Sequence, residues 1–156
     1  MAQLDLSSGT KTYTFKGDGG EREVRYNPPD SRLIARMMDA FARMEEADNR
    51  LREELKKVSG NIDPEGARRV LTLCNDADRI FRTELDTLFG EGLCDLMYGD
   101  VSLYAMQGGA PLWANFIFSV FDTMDAAALE ESKLTNPKID KYLKKYAKPT
   151  PKRARR

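Results

Sequence analysis

The 156-residue chain has no histidine, only two cysteines and a single tryptophan, and these shortages exclude whole classes of chemistry. Without an imidazole it lacks the usual general base of neutral pH and the commonest nitrogen ligand for zinc. Cys74 and Cys94 do not form a Cys-x-x-Cys pair, and each sits among apolar neighbours, the setting of a buried free thiol. No serine has a histidine to activate it, and no glycine-flanked nucleophile elbow is present. The apolar run at residues 110–121 is shorter than the roughly 20 residues that cross a bilayer, and Asn115 interrupts it. A secretion pattern is also missing at the N-terminus. These absences favour a non-enzymatic, cytoplasmic protein with no cofactor, no metal and no membrane contact.

Acidic and basic residues balance at 25 each, but their distribution is uneven. Residues 144–156 carry seven basic side chains and no acidic one: Lys144, Lys145, Lys148, Lys152, Arg153, Arg155 and Arg156. The preceding residues are therefore acidic, with 18 basic against 25 acidic groups. Residues 148–156, with two prolines and no large apolar side chain, read as a flexible basic tail on a single α-rich domain spanning residues 1–147. Such a tail can make weak, salt-sensitive contact with nucleic acid or an acidic protein, or stay solvated with no single specific partner. Sequence-specific reading is opposed by the acidic body and by the lack of any aromatic residue after Tyr146.

Periodicity gives the fold class: mainly α, with a small N-terminal antiparallel β element (1–27), a long helical hairpin packed with an aromatic third helix, and a short C-terminal helix. Strands are expected around Leu4 and Leu6, at residues 10–15 and at residues 22–26. The glycine-rich segment 17–20 has the composition of a hairpin turn and lacks the lysine and hydroxyl of a phosphate loop. Asp30 or Asn27 can cap a first long helix whose seam comprises Ile34, Met37, Phe41, Met44, Leu51, Leu55 and Val58, with Asp48 as a charge on the seam that either needs a polar partner or marks where the helix presents itself to another chain. After a turn at residues 59–62, Asp63 and Pro64 open a second helix. Its stripe comprises Ala67, Val70, Leu71, Cys74, Ala77, Phe81, Leu85 and Leu88.

Glycines at 90, 92 and 99 break the chain around a short amphipathic turn, and Val101, Leu103, Tyr104 and Met106 are expected to line the joint that follows. Pro111 begins the third helix, where Leu112, Phe116, Val120 and Met124 form a stripe flanked by Trp113, Ile117, Phe121 and Ala128. Asn136 and Pro137 start the last helix, with Ile139, Tyr142, Leu143 and Tyr146 on one face. The neighbouring carboxylates Asp76 and Asp78, like Glu45 and Glu46, diverge on their helices and read as solvent-side charges.

The short-strand unit closed by Tyr26, Asn27, Pro28 and Asp30, the long helix through Phe41 and Leu51, the glycine joint at 88–92, Tyr98-Gly99 and the helix with Trp113, Phe116 and Phe118 together resemble the tail assembly chaperones of phages with long non-contractile tails. The resemblance spans roughly residues 1–130. It implies a non-enzymatic protein of the host cytoplasm that binds the tape-measure protein, assists tail-tube assembly, self-associates and is absent from the finished virion. Some members also have a longer form made by translational frameshifting. Under this reading Met37, Phe41, Met44, Leu51, Trp113, Phe116 and Phe118 are candidate protein contacts, methionine being the most adaptable. Two other readings are a permanent structural protein of a capsid, neck or tail, and a regulatory nucleic-acid binder using the basic tail.

Overall fold

A computed structural model describes residues 2–58 and 63–133 of the chain. The expected turn at 59–62, the short helix after Asn136 and the basic tail lie outside those residues. Within them the chain is mainly helical, with a small antiparallel sheet near its N-terminus.

The sheet is a hairpin of β1 (Lys11–Gly17) and β2 (Gly20–Tyr26), in register from Lys11–Tyr26 to Gly17–Gly20. Its turn needs glycine because the next layer lies so close. A Cβ on Gly17 would stand 2.4 Å from the Met97 carbonyl oxygen, and one on Gly19 would stand 2.4 Å from that of Leu96. Both carbonyls belong to α3 (Leu93–Tyr98), and the Asp18 amide donates to Met97 O at 2.9 Å. The strand expected at Leu4 and Leu6 does not form in the chain. Both leucines are exposed, at 77% and 85%, because Asn27 Nδ2 donates to Ser8 O at 2.5 Å and holds the segment at the β2 end of the hairpin.

Helix α1 (Ser31–Val58) starts where the Asp30 carboxylate accepts from the Arg32 amide, and α2 (Pro64–Phe89) starts at an Asp63 cap that accepts from the Gly66 amide. The pair runs antiparallel. Arg43 grips Glu84 with two bonds of 2.6 and 2.7 Å, and Arg69 reaches Glu54 at 3.1 Å farther along. The buried seam of α1 is Leu33, Met37, Ala40, Met44 and Leu51, so Ile34 and Phe41 sit at its flank. Leu55 and Leu71 are exposed, contrary to the expected stripes, since among the described residues no third layer covers them.

After α3 the chain forms a second, minimal hairpin of β3 (Met106–Gln107) and β4 (Ala110–Pro111), turned by Gly108 and Gly109 at φ 63° and 85°. Two successive positive φ values are the signature of a tight hairpin turn, which explains the glycine pair. Pro111 therefore ends a strand, and α4 begins one residue later, spanning Leu112–Lys133. Trp113 enters between the long helices, with ring centroids 5.9 Å from Phe41 and 5.0 Å from Phe81. Phe116 meets Phe15 of the sheet at 5.7 Å and Phe89 of α2 at 5.6 Å. Farther along α4, Ala127 is buried and Ala128 is exposed, reversing the expected flank. In the connection before it, Leu103 is fully buried while Val101 and Met106 are exposed.

That connection is held by a polar row on α2. Asp78, Arg82 and Asp86 recur every four residues and face one side of the helix. Asp78 accepts from the Leu103 amide at 2.8 Å; Arg82 bonds Asp78 at 3.1 Å, Asp95 at 2.7 Å and the Val101 carbonyl at 2.7 Å; Asp86 accepts from the Cys94 amide at 2.9 Å. Asp78 is thus no solvent-side charge, whereas Asp76 remains exposed beside Arg79. Replacing Arg82 by Met should lower the free energy of unfolding by about 2–3 kcal/mol, because it strips a mostly buried cation from its acceptors. Arg82→Lys should recover less than half of that loss, lacking the fork that spans three acceptors. Urea denaturation of both variants measures the difference, and a loss below about 1 kcal/mol for Arg82→Met would mean that this row does not hold the connection.

Candidate protein-binding surface

The seven apolar candidates separate sharply by position. Met37, Met44, Leu51, Trp113 and Phe116 are buried in the core, and Phe41 is half-buried against it. As surface contacts they are unavailable while this packing holds. Phe118 alone among them is openly exposed, at 52%. The basic-tail candidates Lys144, Lys145, Lys148, Lys152, Arg153, Arg155 and Arg156 lie outside the described residues.

Phe118 projects from the first half of α4 because that helix buries one face only. Positions 113, 116, 117 and 120 point inward, which leaves 118 on the opposite side. Beside it lies a shallow depression walled by Ala110, Pro111, Trp113 and Ala114 and edged by Glu45, Asp48 and Arg52 of α1. Met106, 66% exposed, extends the apolar surface on the small hairpin. Hydrogen bonds fix this floor: Asn115 Nδ2 to Gln107 O at 2.8 Å, Leu112 N to Ala105 O at 2.9 Å and Trp113 N to Leu103 O at 3.1 Å. The result is an aromatic ledge with a charged rim on a hydrogen-bonded base.

Asp48, the charge on the α1 seam, has two partners. The Tyr104 hydroxyl donates to one oxygen at 2.9 Å, and Arg52 Nε reaches the other at 2.8 Å. Sequence spacing leaves Asp48 either needing a polar partner or marking where α1 meets another chain, and the structure supplies the partner. Spacing does not point to Tyr104, which arrives from a connection distant in the chain. Trp113 Nε1 is buried at this floor and has no hydrogen-bond partner among the described residues.

Comparison with family models, with curated proteins and with solved structures finds no significant match to this chain. The site therefore has to be read from its own chemistry. Among the described residues no group of three or more His, Cys, Asp or Glu side chains is placed to hold a metal ion, and no helix is long and apolar enough to cross a membrane. Both cysteines are free thiols. Burial, reinforced by the nearby Asp86 carboxylate, pushes the Cys94 thiol far above its ordinary value, and burial also raises that of Cys74. Neither is an activated nucleophile.

Two tyrosines, Tyr104 bonded to Asp48 at the ledge and Tyr98 beside the β1–β2 hairpin, give the fold a pH signature. Burial pushes Tyr98 up to about 12, and burial together with the Asp48 hydrogen bond pushes Tyr104 well above the ordinary phenol value. Folded chains then keep protons that unfolded chains release near pH 10, so this contribution is complete below about pH 10 and is lost as pH rises toward 12. Each such tyrosine should steepen the fall in stability by about 1.4 kcal/mol per pH unit in that window. Cys94 adds to the same trend from lower pH. Denaturant midpoints compared at about pH 9 and pH 11 should show the fall, and Tyr104→Phe should make it shallower. An unchanged slope would contradict the buried, carboxylate-facing phenol.

Proposed function

We propose that the chain is a non-enzymatic assembly chaperone of a long-tailed phage, binding the tape-measure protein while tail-tube subunits assemble around it. The observation that carries this reading is the exposed Phe118 ledge beside the Trp113 floor. An exposed aromatic ring beside a partly apolar depression is a common form of anchor for a protein contact. The Glu45, Asp48 and Arg52 edge would steer a charged helical client without adding much affinity. The resemblance in the sequence supplies the identity of the client, and the hydrogen-bonded base beneath the ledge supports a face that engages it without unfolding.

The test is reconstituted capture of the tape-measure protein by the full chain. Phe118→Asp, alone or with Met106→Asp, should weaken capture by roughly tenfold or more while far-ultraviolet dichroism stays unchanged, since both side chains are exposed. Phe118→Leu should retain most of it. Unchanged capture with the aspartate variants sinks the ledge as the binding surface. Mass analysis of purified virions is the companion measurement: depletion of the chain fits a chaperone, and stoichiometric presence fits a permanent capsid, neck or tail protein instead.

A further inference from the structure

Among the described residues the β1–β2 hairpin leaves one edge without a partner strand beside a groove, and the N-terminal segment has the apolar pattern to fill it but is held elsewhere. The two-residue turn makes Gly17 and Gly20 a hydrogen-bonded pair, and alternation then directs the backbone groups of Thr12, Thr14 and Lys16 away from β2. No strand pairs with that edge among the described residues. The edge borders a groove of about 330 Å³ whose opposite wall is α4, with Phe15, Tyr98, Phe116 and Val120 in its lining. Met97 and Tyr98 close the turn end, and an ion pair of 3.5 Å between Lys11 and Glu130 spans the other. A strand edge and a helix flanking an apolar groove form the geometry of β-strand addition.

Leu4 and Leu6 are apolar at a spacing of two, which is strand patterning, and both are exposed. Neither leucine lines the groove of its own chain. Asn27, just past β2, holds Ser8 by its carbonyl, and Ser8 and Thr10 line a depression with Arg25, Leu33 and Arg36 on the far side of the hairpin from β1's open edge.

We propose that residues 2–6 of a second copy of this chain add as a strand to the open edge of β1, with Leu4 and Leu6 entering the groove against Phe15 and Phe116. The same alternation places Asp5 on the outer face with Thr14 and Lys16, a complementary charge. Arms passed between copies in this way build either a closed pair or an open row, depending on whether exchange is reciprocal. The assignment uses neither Phe118 nor Met106, so it stands or falls independently of client binding.

Sedimentation equilibrium of the full chain tests it. The wild-type chain should self-associate, and Leu4→Ser with Leu6→Ser should weaken association about a hundredfold without altering the dichroism spectrum or thermal midpoint. Thr14→Pro, which removes an outward amide while leaving the β1–β2 bonds, should have the same effect. Mixing the arm variant with the edge variant should restore association between the two, because one supplies the arm and the other the groove. A monomeric wild-type chain overturns the proposal. So does an arm variant that associates as tightly as wild type, or a Thr14→Pro variant whose mass is unchanged.

Discussion

The structure depends on a guanidinium placed between two carboxylates and a carbonyl. Arg82 is 15% exposed, and at that depth an unpaired cation would be costly. Its partners remove the cost and in doing so fix three points on a segment with little regular structure of its own: Asp78 beside the Leu103 amide, Asp95 on α3, and the Val101 carbonyl. Once these points are fixed, Leu93, Met97 and Leu103 plug the core from one side and the chain is aimed so that Trp113 enters between α1 and α2. The hydrophobic effect rewards burial but does not choose a path for a connector. The directional bonds from α2 do.

The aromatic residues divide into two nests joined through α4. Trp113 unites Phe41 and Phe81, with Tyr104 a further 5.1 Å from Phe81; three residues on, Phe116 unites Phe15 and Phe89. A separation of three on a helix keeps both rings on one face, so a single helix serves both nests. This arrangement gives the small sheet its stability. Two strands alone are marginal, and here Tyr26 stacks on Tyr13 at 4.6 Å, contacts Phe89, and bonds Thr123 of α4 through its hydroxyl at 2.9 Å.

The long elements were legible because their signal is local and repeated. Seven or eight apolar positions at helical spacing, bounded by Asp30, Asp63, Pro64 and Gly90, define α1 and α2 within a residue. What the sequence hid depended on contacts between distant segments. Asp78 looks like any exposed acid until Leu103 docks on it, and Gly17 and Gly19 look like turn residues when their lack of a side chain also admits α3. The candidate surface was less legible for a related reason. Apolar periodicity identifies residues that leave water, and it ranks Met37, Met44 and Trp113 highly whether they enter a core or a partner. Phe118 carries the opposite signal, a ring out of phase with its own helix stripe, and that phase error was the available clue.

Phase also accounts for where this fold has contact capacity to spare. Where α4 and the sheet pack on the hairpin, α1, α2 and α4 spend their main stripes on the shared core, so an interaction surface there is built from residues beside the stripes or from backbone that the stripes do not reach. Phe118 is the first kind. The outer edge of β1 is the second, since a hairpin covered on one face by helices still has its hydrogen-bonding groups in the plane of the sheet, where face packing cannot satisfy them. Charge could have blocked that edge, and Lys11 and Lys16 do stand at its two ends. Lys11, however, is drawn toward Glu130 and Lys16 toward Glu21, leaving Thr12 and Thr14, small and uncharged, at the middle. An edge guarded only at its ends is open to a short strand that fits between them.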